Sequence, residues 1–327
     1  MSTTETVTWV TSSAEKPPQQ PDIYYAPNYK KWQARAARPI DTPYGFGSIT
    51  QETFPLQTLH SELRRLSAEL HSGHGFFVLR GLEPDKHTRE ENIIIYTGIS
   101  AHVASHHSPN SGIIGSPAYT TDKQVFHTNS GDIVALFALE TAVPDGASKL
   151  ASTWRVYNEI ARTRPDLIHT LSQSWDREIF EKAKDGKQWM ERPLIYLLPA
   201  NPKTFPPTPQ RVSLQYGRRY FPISEAQAEA LDTLHFTGEK SCVNNEFQKG
   251  DIQFVNNLAI FHARDGFVDS EEKQRHLLRL WLRDPENAWH TPNVLAPRWA
   301  QIYEGVKPEN EVFLLEPFIR SAGNKGR

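Results

Sequence analysis

The sequence has one cysteine, Cys242, and no apolar run near the roughly 20 residues that a membrane span needs. A single thiol excludes an internal disulfide framework and suits a reducing, cytoplasmic setting. The polar start MSTTETVTWVTSSAEKPPQQPD lacks the apolar core of a secretory leader. Charge of one sign is missing too. With 36 basic and 38 acidic side chains, a formal charge of −2 and no long run of either, nothing tracks a phosphate backbone, so nucleic acid is not the expected partner. Gly45-Phe46-Gly47-Ser48 lacks the trailing glycine and lysine of a nucleotide-phosphate loop.

What is present suffices for a large core: 327 residues, 38% of them hydrophobic. Residues 1–45, rich in Pro, Thr and Gln, read as a tail and wrapping segment, and residues 46–327 as one domain. Leu56, Leu59, Leu63, Leu66 and Leu70 recur at helical spacing up to the glycines of HSGHG. GFFVLRGL (75–82) reads as a buried strand, 87–104 as a helix, and 105–121 as a loop suited to a substrate lid. Strand-like runs then dominate, at 131–140, 193–198, 211–216, 251–262 and 275–283. Two helices interrupt them, 154–172 with a break at Pro165, and Ser224 to about Gly238 with Ser224 and Gln227 as a capping box. Without regular βαβ alternation or a repeat, this is a mainly β fold with added helices, a barrel or jelly roll.

His127 and Asn129 are one residue apart in QVFHTNSGDIVALF, so in an extended segment both side chains leave one face. His262 closes the run DIQFVNNLAIFH and is in reach if two strands lie side by side. Two histidines and a carboxylate form the facial triad of non-haem Fe(II) oxygenases, which leaves positions for a co-substrate and oxygen. Here the third position holds an amide. In 275–283, alternation puts Arg275, Arg279, Trp281 and Arg283 on one face and His276, Leu278, Leu280 and Leu282 on the other. Arg283 fits a solvated surface, whereas an inward guanidinium needs a carboxylate, which its planar fork grips at two points.

Neighbouring residues have blander readings. Asp132, three residues past Asn129 and on the opposite face, reads as strand-opening turn chemistry rather than the missing acid. His102, His106 and His107 have no carboxylate or cysteine at ligand spacing, so they read as surface or lid histidines, with His106 as a contact to an acidic substrate. Asn256 and Asn257 either meet substrate or satisfy strand ends.

The order His-x-(acid), distal His, then Arg-x-x-x-Arg one strand later resembles the taurine dioxygenase (TauD/TfdA)/clavaminate synthase-like family of Fe(II)/2-oxoglutarate oxygenases. FHTNSGDIVALF, SKLASTWRVYNEIARTRPDL, FQKGDIQFVNNLAIFHARDGF and QRHLLRLWLRDPE look like its fungal branch, and the likeness runs over about residues 55–300. It implies a double-stranded β-helix, the jelly roll with helices packed outside. It also implies an enzyme of fungal secondary metabolism that uses Fe(II), 2-oxoglutarate and O2 to hydroxylate, desaturate or cyclise a small acidic or amino-acid-like metabolite. By the same likeness His127 and His262 are iron ligands, with Asn129 where the family has aspartate. Arg275 and Ser148 would hold the distal carboxylate of 2-oxoglutarate. Arg279 would sit nearer the metal, on an acidic group of the substrate or the inner carboxylate of the co-substrate. A homodimer is left open.

Asn129 has four readings at this point. It is a neutral ligand through its amide oxygen, weaker than a carboxylate; or the position accepts an exogenous anion, as in the halogenases of the superfamily; or an aspartate was replaced by design to trap a complex; or the site has decayed in a silent binding protein. With an amide, Fe(II) and the 2-oxoglutarate dianion sum to zero rather than about −1, which favours an added anion. Yet asparagine fills the space that chloride needs.

Overall fold

Leu63, Leu66 and Leu70 face inward from α1 (His60–Ser72), and Leu56 and Leu59 are buried just ahead of it. The computed structural model describes residues 23–25, 45–109, 121–142, 146–178, 189–200, 210–216, 223–270 and 272–304. Next comes α2 (Arg89–Val103), where Thr88 and Glu91 close a capping box. Pro165 divides the expected 154–172 helix into α3 (Thr153–Thr163) and α4 (Pro165–Ser172), because the residue before a proline is driven out of the helical region; Arg164 has φ −144° and ψ 64°. α5 (Glu225–Ser241) starts at the Ser224–Gln227 capping box, which contributes about 1 kcal/mol. A last helix, α6 (Ala296–Tyr303), is one that the sequence pattern did not reveal.

The described strands are β1 (Ile23–Tyr25), β2 (Phe76–Arg80), β3 (His106–Pro109), β4 (Gln124–His127), β5 (Ile133–Glu140), β6 (Ser148–Ser152), β7 (Trp175–Glu178), β8 (Trp189–Arg192), β9 (Ile195–Leu198), β10 (Arg211–Leu214), β11 (Val243–Asn245), β12 (Ile252–Asn256), β13 (Ile260–Arg264) and β14 (His276–Arg283). Six pair in the order β1-β2-β12-β5-β14-β3 and four as β11-β6-β13-β4; β7–β8 and β9–β10 form two further pairs. All pairings are antiparallel except β1 with β2. This is the jelly-roll arrangement. Strand β1 falls within the segment expected as tail, and β3 within the expected lid, of which 110–120 lie outside the described residues.

Alternation sorts each strand into an outer and an inner face. Outside the six-stranded sheet, Phe77, Phe137, Phe254, Leu280 and Leu282 pack with α1 and α2. Outside the four-stranded sheet, Phe126, Phe261 and Ala263 pack with α3, α4 and α5. The inner faces meet across the gap, where Asn245 of β11 donates to Gln253 of β12 at 2.9 Å. The run 251–262, expected as one strand, is two. The Asn256 side chain accepts from Leu258 N at 3.0 Å, an Asx turn that carries the chain from the six-stranded sheet to the four-stranded one. Of the other passages between these two sheets, the one between β4 and β5 lies beside it.

Candidate metal centre

Those two crossings assemble the site. Strand β13 pairs with β4 so that His262 lies directly opposite His127, and opposed residues share a face. Their ring centroids are 4.3 Å apart. Asn129 follows β4 by two residues, and its amide nitrogen lies 2.8 Å from His262 Nε2. His127 Nδ1 is 2.9 Å from the carbonyl of Val125, which can only accept, so the proton sits on Nδ1 and the Nε2 lone pair is available. The Asn129 amide nitrogen is likewise only a donor, so His262 Nε2 accepts and its proton is on Nδ1. That atom is buried with no partner among the described residues.

Both rings are neutral at ordinary pH. Burial pushes His127 down to about 4, against the pull of the Val125 carbonyl and helped by the charges of Arg279 and Arg264. Burial, then His127 and Arg279, drives His262 well below the usual imidazole range. Metal ligands must be deprotonated, and here protons do not compete at neutral pH. Metal bonds of about 2.1 Å at right angles set neighbouring donor atoms about 3.0 Å apart, close to the 2.8 Å between the Asn129 amide and His262 Nε2. Two imidazole nitrogens and one neutral amide therefore fit a divalent ion of intermediate softness. Among the described residues no group of three His, Cys, Asp or Glu could hold a metal.

Around this trio the crossing is held from two sides. Asn257, proposed from sequence as a substrate contact, is 0% exposed and fully engaged with backbone. Its Oδ1 accepts from Asn129 N at 2.7 Å, and its Nδ2 donates to the carbonyls of Asn129 and Gly131 at 2.7 and 2.8 Å. From the other side, the Asp132 carboxylate accepts from Trp299 Nε1 at 2.6 Å and pairs with Arg283 at 2.8 Å, while Tyr303 Oη accepts from Asp132 N. Arg283 is thus an ion-pair member and not the solvated residue that alternation suggested. Asp132 points away from the histidines. Gly131 has φ +94°, and a Cβ there would stand 2.6 Å from Tyr303 Oη. Gly131→Ala should cost about 1–3 kcal/mol in thermal unfolding and weaken metal uptake; an unchanged melting point would show that the loop tolerates another conformation.

The arginines follow the inner-face pattern. Arg279 of β14 is close enough to act electrostatically on both histidines. The Arg275 guanidinium lies 5.3 Å from the Phe267 ring centroid, and that of Arg264 lies 4.8 Å from the same ring. Ser148, buried on β6, is directly opposite Arg264 on β13. Ser148 and Arg275 are thereby brought toward one another through Arg264 and Phe267. Arg264 went unremarked in the sequence, although its position two residues after His262 on a strand puts it on the ligand face. His106 is exposed on β3, opposite Arg283. His102, expected at the surface or in a lid, is instead buried, meeting His60 Nδ1 at 2.9 Å and the Phe54 carbonyl at 2.8 Å.

The model of the taurine catabolism dioxygenase TauD, TfdA family matches residues 37–281, three quarters of the chain. The chain belongs to the TauD/TfdA family. A taurine hydroxylase-like protein, SAT17, of Stachybotrys chartarum is 33% identical over 317 residues, covering 85% of this chain and 78% of that protein. The FR-33289 synthase of Streptomyces rubellomurinus is 24% identical, covering 77% and 81%. A solved asparagine oxygenase, in complex with Fe(II), 3-hydroxyasparagine and succinate, superposes with TM-score 0.62 at 15% identity, over 82% of this chain and 98% of its own. The non-haem iron oxygenase OrfP with Fe and α-ketoglutaric acid does so at 0.56 and 15%, over 80% and 93%. These TauD/TfdA relatives agree with the jelly-roll reading. The chain is by family a non-haem iron dioxygenase that uses 2-oxoglutarate and O2, and among the described residues no helix is long and apolar enough to cross a membrane.

Proposed function

We propose that this TauD/TfdA protein oxidises a C–H bond of a small acidic or amino-acid-like metabolite at a centre held by His127 Nε2, His262 Nε2 and the Asn129 amide oxygen. One observation carries the reading, the pairing of His127 with His262 across β4 and β13 with the Asn129 amide against the second ring. Fe(II), when bound there, supplies oxygen activation. The remaining work falls to the chain itself. The Val125 carbonyl holds the His127 ring in one tautomer, and burial keeps both imidazoles unprotonated. Turning the Asn129 amide about its last torsion exchanges nitrogen for oxygen at the same position without moving the backbone.

On this reading Arg275 and Ser148 take the distal carboxylate of 2-oxoglutarate, which suits a bidentate guanidinium next to a hydroxyl. Arg279 takes an acidic group of the substrate or the inner carboxylate, and His106, at the exposed end of β3, contacts an acidic substrate from outside. Hydroxylation, desaturation and cyclisation share this site, and the residues do not divide them. Asparagine oxygenase and OrfP, whose solved complexes hold hydroxyasparagine and L-Arg, make amino acids the first compounds to try.

A second reading, a silent protein that binds 2-oxoglutarate without turnover, draws on the neutral donor set. Anaerobic titration with Fe(II) and 2-oxoglutarate separates the two. The enzyme gives the weak visible charge-transfer band of chelated 2-oxoglutarate, and succinate in air that increases when the right carboxylate or amino acid is added. No band and no succinate would sink the enzymatic reading. Against halogenation stands the size of asparagine, whose side chain beside His262 takes up space that a chloride at this position needs.

A further inference from the structure

Asn257 is placed to do more than complete a turn. It sits on the crossing between β12 and β13, and its three side-chain bonds run to the crossing between β4 and β5, at Asn129 N, Asn129 O and Gly131 O. Its own backbone N donates to Asp132 O at 2.8 Å. The residue that carries His262 into the four-stranded sheet is therefore bolted to the residue that completes the site. The clamp encloses the Asn129 backbone on both its donor and its acceptor.

We infer that Asn257 is a positioning residue whose task is to make a neutral amide serve as a metal ligand. This rests on the reading of Asn129 as that ligand. A carboxylate is drawn to a divalent ion by charge and can pull its own loop into place as it binds. An amide offers only a dipole, so its free energy of coordination is small and any ordering of the loop on binding is subtracted from it. Fixing Asn129 during folding moves that ordering cost out of the binding step. The buried amide of Asn257 suits this better than a charged residue would, since it donates and accepts at once and adds no charge near the metal.

The consequence is a coupling between positions 257 and 129. Asn257→Ala should weaken Fe(II) binding about tenfold or more in the wild-type background, and less than about threefold in Asn129→Asp, where the charge positions itself. In metal-free protein the same substitution should speed hydrogen exchange at residues 129–132 roughly tenfold or more while distant strands keep their protection. Because Asn257→Ala leaves buried backbone groups unpaired, Asn257→Ser is made alongside it, and the thermal midpoint of each is measured. A merely structural role would lower the midpoint and weaken Fe(II) equally in both backgrounds. Equal losses, or unchanged exchange at 129–132, would overturn the clamp. Fe(II) uptake by Asn129→Asp and not by wild type would overturn the ligand reading of Asn129 and the clamp with it.

Discussion

Asn129→Asp is expected to bind Fe(II) about a hundredfold or more tightly than the wild-type protein, about 2.8 kcal/mol. The substitution keeps shape and backbone and changes one NH2 into an oxygen. Changes in the outer shell of a metal commonly shift affinity 10–100-fold, and a change in the ligand itself should reach at least the upper end. The gain has a price in the metal-free protein. The amide nitrogen donates to His262 Nε2 at 2.8 Å, whereas an ionised carboxylate can only accept there, so the ring must carry its proton on Nε2 and the metal-free site must bury a charge that the amide does not have. The metal-free variant should lose about 1–3 kcal/mol of stability and recover it when Fe(II) is added. Anaerobic titration with thermal denaturation, with and without metal, reads both effects. An Fe(II) affinity equal to that of the wild type would remove Asn129 from the coordination sphere.

Arg283→Met should be the most damaging substitution outside the ligands. Asp132 is 1% exposed, and among the described residues the cation it bonds is Arg283, 2.8 Å away. Burial pushes its carboxyl up to about 6 despite that partner and the Trp299 N–H. Removing the partner of a buried charge costs about 3–5 kcal/mol. The pH dependence follows from the direction of the shift. A carboxyl whose folded pKa is raised binds its proton more readily when folded, so its contribution to stability is greatest below about 4 and is lost as pH rises through about 6. Without Arg283 the folded value climbs further. The loss in Arg283→Met should accordingly be largest near pH 8 and shrink toward pH 5.5, where Asp132 becomes neutral. A loss independent of pH would mean that packing, and not the ion pair, is what Arg283 supplies.

How much of this was legible depended on the range of the contact. The leucines before α1, the break at Pro165 and the Ser224–Gln227 box were readable because each is decided within four residues. The Asx turn at Asn256 was equally local, but the apolar run around it, FVNNLAIF, reads as one continuous strand. Alternation gave the inner face of β14 correctly and could not say what stands opposite it. Arg283 was therefore assigned to solvent, since its carboxylate lies 151 positions earlier in the chain. His102 failed for the same reason, its partner His60 being on another helix 42 residues away. His127 and His262 were singled out by motif order, but the register that faces them is a property of sheet pairing. Arg264 needed only the two-residue period already applied to Arg279.

The buttress of Asp132 comes from α6, with Trp299 holding its carboxylate and Tyr303 its backbone. A chain still on the ribosome that has emerged only as far as residue 295 already carries both histidines, Asn129, the Asn257 clamp and all three arginines of the inner face. It lacks the helix that seats the loop between them. The loop next to Asn129 is thus completed by a helix 167 positions further along the chain, so its last support is among the last parts of the described chain to be made.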